Sequence, residues 1–416
     1  MTTYSSEQVR LRPLTLVEDT TDQVLVGDPE TATFITVPPA GAVVIRALQR
    51  GASMEEAALE AEANAGEPVD VRTFVEALHE LGFVKGDDEE LTETTAGPKV
   101  QRTAPIQQRR WVSALDPRWA RPFFSPAAWT LYAAALLFSI GSLILRPDLF
   151  PRPQDTFVFE NRGLALLILV PLSYLQTALH EAWHWLGARA AGVSARFGID
   201  RRLCFLVFET DLSQLWSLPR RQRYAAQLAG MAIDSLLLAI LLAVQLAGES
   251  SSLPLPRLVT DLAAAMAFVT LAGMAWQSMI FMRTDLYGVL VTATGCNNLW
   301  EVKSLLLKRS MGGRLSLEEH RQLAHAHPRD VAVGRWFQWI YLLGIPLALT
   351  YYSAFHLPIL IGALTWTAEG LSGEPNRGRF WLTFGESLAI YLPLLLVLIT
   401  SVKARLDRNS LHRGRV

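Results

Sequence analysis

The chain has 416 residues, enough for two or three ordinary domains, and half of them are apolar. Its mean hydropathy of +0.23 is high for a soluble protein, and its net charge of −1 conceals opposite regional biases. With only Cys204 and Cys296 to offer, it has neither a disulfide framework nor a cysteine-rich zinc site.

Met1 to Arg10 is polar and lacks an apolar core, so no cleavable signal peptide is expected and the first crossing is internal, near Trp129. Residues 1–86 read as a small α/β module. Two β-rich runs, Gln23–Gly27 and Ala32–Val37, flank the turn-like Asp28-Pro29-Glu30. A helix follows over about Ala40–Gln49 and stops at Gly51. Ser53-Met54-Glu55-Glu56 has the form of a capping box and opens a second helix. A third starts near Asp70 and closes at Leu81-Gly82, before a short Phe83-Val84 strand. Residues 87–120 form a charged, Thr-rich linker and a juxtamembrane segment.

The remainder, 121–416, holds six apolar stretches near 126–145, 164–190, 224–247, 263–290, 336–366 and 381–402. Each is long enough to cross a hydrocarbon core of about 30 Å. Arginine and lysine collect in alternate connections: Arg109, Arg110, Arg118 and Arg121; then Arg201, Arg202, Arg220, Arg221 and Arg223; then Lys303, Lys308, Arg309, Arg314 and Arg321; then the tail. The positive-inside rule then puts both termini in the cytoplasm of a multi-pass protein of the cell membrane. Residues 296–332 form a cytoplasmic helical insert whose apolar face, Leu299, Val302 and Leu305 to Leu307, would lie on the membrane surface or pack on the N-terminal module.

The chemistry is concentrated in His180-Glu181-Ala182-Trp183-His184. Histidines four apart on a helix project from one face and can grip one metal ion, while a glutamate beside the first can act on a water in the metal's open position. The bland alternative is a histidine pair satisfied by interhelical hydrogen bonds. Two histidines and a glutamate are costly inside an apolar segment, which favours the functional reading. A third ligand is needed, and Asp285, at a depth similar to His180 in the fourth apolar stretch, is the first candidate. Asp234, about 10 residues into the third stretch, is a second; it could replace Asp285, hold substrate, or support a ligand from behind. The bland reading of Asp285 is a partner for Arg283 or Arg309. Glu386, His325, His327 and His356 read as packing, interfacial or solvated residues.

These residues resemble the site-2 protease class of intramembrane zinc metalloproteases. The resemblance covers residues 164–290 and rests on His180–His184, the small-residue motif Gly230–Asp234, and Asp285. It implies zinc bound by His180, His184 and Asp285, Glu181 as catalytic base, and Gly230 and Asp234 near the substrate or behind the ligands. Two motifs depart from the family pattern: Thr284-Asp285-Leu286-Tyr287-Gly288 displaces the usual glycine, and Gly230-Met231-Ala232-Ile233-Asp234 replaces the usual proline and asparagine. The N-terminal module looks like a PqqD-like, winged-helix peptide-binding domain, on the pattern of Val24–Pro29, the next β-rich run and three short helices. Its glutamates and aspartates argue against nucleic acid.

Together the two parts resemble bacterial peptide zinc metalloproteases that join both modules. The expected fold is therefore an α-helical polytopic membrane protein of about six spans with a small α/β winged-helix-like domain. Its expected partners are the lipid bilayer, a peptide or membrane-protein substrate, and a co-encoded peptide-maturation or export component. The competing reading is a non-catalytic peptide-binding or export-associated membrane protein with a structural or vestigial zinc site. A transporter reading would use Asp234 and Glu386, but it leaves the His-Glu-His spacing unexplained.

Overall fold

The computed structural model describes residues 9–18, 23–28, 33–85, 115–202, 205–249, 255–373 and 378–413. Its contacts divide the chain into two units: an N-terminal one, which also takes in Leu212–Arg223, and a larger helical one. Segment 212–223 thus groups with the first unit although it lies far along the chain. The expected turn at Pro29 and most of the expected linker, with Arg109 and Arg110, fall outside the described residues, as does Cys204.

In the first unit, β1 (Thr15–Val17), β2 (Val24–Asp28) and β3 (Thr33–Val37) form an antiparallel sheet in the order β1-β2-β3. Leu16 pairs with Val26, and Val26 with Ile35. Three helices follow: α1 (Pro39–Gln49), α2 (Met54–Ala65) and α3 (Val71–Glu80). Ser53 and Glu56 make the reciprocal capping box that the spacing predicts, and the Asp70 carboxylate caps α3 through the Thr73 N–H. The helices close over Val26, Val44, Ile45, Val75, Leu78 and Phe83. The chain then returns through a bridge between Val84 and Leu11.

In the second unit a short α4 (Pro117–Ala120) precedes α5 (Pro126–Leu145), whose 20 residues span about 30 Å. Then come α6 (Arg162–Ala190), the hairpin β4 (Arg196–Arg202) and β5 (Phe205–Asp211), α7 (Arg220–Gln227), which enters this unit at Tyr224, α8 (Ala229–Gly248) and α9 (Arg257–Gln277). Helix α10 (Asp285–Thr294) is short, and α11 (Leu299–Ser310) and α12 (Leu317–His325) form the insert. Helices α13 (Pro328–Tyr351) and α14 (Leu357–Leu371) run on through a π-helical turn at Tyr352–His356, and α15 (Gly378–Arg413) ends the description. Six of these helical stretches are long and apolar enough to cross a membrane. Large leucines point outward from them, Leu137 at 69% and Leu343 at 70% exposure among them, as an apolar surrounding requires.

The fourth span is shorter than the apolar run suggests. It ends at Gln277 rather than near 290, and a tight turn at Ile280–Met282 follows. Arg283 then takes the left-handed conformation (φ 57°), which a right-handed helix cannot contain, so Asp285 opens a new helix. The insert packs on a membrane-type helix of its own unit. Helix α11 lays Val302 and Leu306 against α13 at Gly334, where an added Cβ would meet Leu306 at 3.0 Å. Cys296 is a buried free thiol.

Candidate metal centre

Helix α6 carries His180 and His184 on one face, one turn apart, and both are buried. Their Nε2 atoms lie 3.2 Å apart. The Asp285 Oδ2 atom sits 3.0 Å from each. Three donors around one zinc ion, at the usual bond length near 2.1 Å, would stand roughly 3.3 Å apart. The observed triangle therefore has the right size.

Its chemistry also fits a cation. The Nδ1 of His184 lies 2.7 Å from the Ala226 carbonyl oxygen, which can only accept, so Nδ1 carries a proton, and in the neutral ring Nε2 is left with a lone pair. The Nδ1 of His180 donates to Asp234 Oδ2 at 2.7 Å, which turns its Nε2 lone pair inward as well. Two imidazole lone pairs and a carboxylate oxygen then face one another within hydrogen-bond distance. With both rings neutral that arrangement is repulsive unless a proton or a metal ion stands between them. A divalent metal ion would satisfy all three at once.

Two glycines make room for it. A Cβ on Gly230 would stand 2.4 Å from His180 Nε2 and 2.5 Å from His184 Nε2, so α8 meets both rings with bare backbone. A Cβ on Gly187 would come within 2.8 Å of the Ala226 Cα. That close approach lets the Ala226 carbonyl, in the last turn of α7 where carbonyls lack helical partners, reach His184.

Asp285 is placed by Gln277. The Gln277 Oε1 accepts from the Asp285 N–H at 3.1 Å, the Gln277 carbonyl accepts from the Thr284 hydroxyl at 2.8 Å, and Gln277 Nε2 comes within 3.4 Å of His180 Nε2. Glu181 is half-buried, and its carbonyl accepts from the Thr210 hydroxyl of β5 at 2.8 Å.

Of the residues singled out in the sequence, His180, His184 and Asp285 come together as one group able to hold a metal. Asp234 and Gly230 stand directly behind it. Asp285 is not paired with Arg283 or Arg309. Glu386 is elsewhere, buried and accepting from Asn161 Nδ2 at 2.7 Å. His327 caps α13 through the Arg329 N–H, His325 is exposed, and His356 closes the π-helical turn. Gln277, Ala226 and Thr210 were not singled out. An amide inside the apolar run 263–290 was the available signal for Gln277; a backbone carbonyl leaves none.

Comparison with protein-family models, with curated proteins and with solved structures finds no match for this chain. What the fold and site define is a multi-pass helical protein whose His180, His184 and Asp285 form a group able to hold a metal ion among its membrane-type helices.

Proposed function

We propose that this chain is a zinc metalloprotease of the site-2 protease type, hydrolysing peptide bonds of a peptide or membrane-protein substrate near the cytoplasmic face of the cell membrane. The observation that carries this reading is the convergence of His180 Nε2, His184 Nε2 and Asp285 Oδ2 within 3.0–3.2 Å, with Glu181 adjacent in the same helix. His180, His184 and Asp285 would hold the zinc. When bound, the ion supplies a Lewis acid and brings the pKa of water toward neutrality.

The chain's own residues do the rest. Glu181 takes the proton of the attacking water and passes it to the leaving amine. Asp234 and the Ala226 carbonyl hold the two imidazoles in the tautomer that keeps Nε2 free. The aspartate that stands where the family has asparagine thus has a partner of its own, His180. Gln277 Nε2 can donate to the carbonyl oxygen of the scissile bond as charge develops there.

The N-terminal unit would recruit substrate. Its three-stranded sheet followed by three helices supports a PqqD-like, winged-helix reading, with a peptide added beside an edge strand. Clustering of arginine and lysine in alternate loops supports cytoplasmic termini.

The first test is zinc per chain in purified wild type, His180→Ala and Asp285→Ala. About one zinc in wild type, lost in both variants, supports the site. Wild type and Glu181→Gln are then incubated with a proteome-derived peptide library and the new termini read by mass spectrometry. Absence of zinc under metal-replete conditions, or equal cleavage by Glu181→Gln, would sink the protease reading.

A further inference from the structure

The turn that delivers Asp285 has a feature the metal centre does not explain. Arg283 is the one non-glycine residue with positive φ among the described residues. Left-handed backbone disfavours a side chain, and glycine would adopt it more easily. An arginine stands there all the same, which directs attention to its guanidinium. That group is exposed and lies 5.3 Å from the centroid of the Trp300 ring on α11. The ammonium of Lys303 approaches the same indole at 3.7 Å and the Tyr341 ring on α13 at 3.6 Å.

Lys303 is 2% exposed, yet among the described residues neither it nor Arg283 has a carboxylate at ion-pair distance. The aromatic faces offset part of the cost of burying the ammonium. They do not neutralise it. Burial and the neighbouring Arg283 charge together pull the Lys303 ammonium down to about 8. Two cations thus approach one indole with no carboxylate at ion-pair distance among the described residues.

The level in the molecule says which anion fits. On α13, Trp336 (43% exposed) and Trp339 (50%) face outward, followed one and two turns on by exposed Leu343 and Leu347. Outward tryptophans giving way to leucines mark the boundary between headgroups and acyl chains. Tyr341 is two residues from Trp339, about 3 Å along the axis, so Lys303 lies at that same boundary. Exposed Met282 (43%), beside Arg283, adds an apolar edge.

We propose that Arg283, with Lys303 behind it and Trp300 between them, forms a binding site for the phosphate of an anionic phospholipid headgroup. Arg283 donates to the phosphate oxygens, and Lys303 supplies buried positive charge. The acyl chains run along exposed Ile345 and Leu349, which lie on the side of α13 that carries Tyr341. The site is independent of the protease reading and needs no metal.

The test uses the full chain in neutral detergent, titrated with phosphatidylglycerol or phosphatidylcholine and read by native mass spectrometry. Wild type should keep one phosphatidylglycerol that phosphatidylcholine does not replace. Arg283→Gly is the sharpest variant, because glycine relaxes the backbone at φ 57°. It should keep its melting temperature and hold phosphatidylglycerol about fivefold more weakly, the worth of one basic side chain at an anionic surface. Arg283→Lys should recover most of that loss. Equal retention of the two lipids, or unchanged retention in Arg283→Gly, overturns the proposal. If inorganic phosphate alone competes as well as phosphatidylglycerol, the ligand is free phosphate and the lipid assignment falls.

Discussion

Replacing Gly230 with alanine is the smallest change that tests the centre. The added Cβ would lie 2.4 Å from His180 Nε2 and Cε1 and 2.5 Å from His184 Nε2, against an ordinary contact that begins near 3.4 Å. The shortfall is about 1 Å on two ligands together. Neither ring can swing away cheaply, since each is fastened through Nδ1, to Asp234 and to the Ala226 carbonyl. Zinc sites tolerate ligand displacements of only about 0.2 Å. Disturbing one supporting partner of a ligand typically lowers affinity 10–100-fold, so moving two ligands at once should lower it by at least about 100-fold. Competition with a chromophoric chelator measures this, and a melting curve with zinc removed controls for folding. Wild-type zinc affinity in a folded Gly230→Ala protein would refute the geometry on which the site rests.

Three further outcomes follow from named contacts. Asp234→Ala should weaken zinc about 10–100-fold while Asp234→Asn, whose amide oxygen still accepts from His180 Nδ1, should lose much less; chelator competition on both separates a carboxylate ligand from a supporting hydrogen bond. Ser53→Ala removes the acceptor for the Glu56 N–H and should destabilise the N-terminal unit by about 1 kcal/mol, read as a lower denaturant midpoint for that unit's transition. Lys303 gives a pH dependence. Its folded value, about 8, lies below the ordinary lysine value near 10.4, so between the two the unfolded chain binds more protons and stability rises with pH. Below 8 both states are charged, and the burden of the buried ammonium is fully present. Without anionic lipid, wild type should therefore gain melting temperature relative to Lys303→Met from pH 8 to 10, and parallel curves would contradict it.

Much of the architecture was legible because it is written in local chemistry. Ser53 and Glu56, Asp70, and the long apolar runs each state a helix start or a span without reference to the rest of the chain. The His180–His184 spacing states its own geometry, since one helical turn dictates a shared face. What the sequence withheld depends on distant segments. The fourth run stays apolar past 277, so only the return of the chain onto Gln277 and the left-handed Arg283 ends the helix there. Asp234 could be recognised as a buried acid, but which nitrogen it meets is set by how α8 crosses α6. The β4–β5 hairpin was missed because its charged residues read as loop; the alternation of Phe197 with Ile199 and of Leu206 with Phe208 was the available signal. Strand β1, only three residues long, is below what any pattern can show.

The spacing between His184 and Asp285, 101 residues, has a consequence in time. Chains are made at about 5–20 residues per second, so the two imidazoles emerge roughly 5–20 s before the carboxylate that completes their triangle. During that interval the growing polypeptide carries the two histidines and the glutamate, but no closed triangle. Its neighbours in the membrane therefore meet the centre only after the fourth span has folded back.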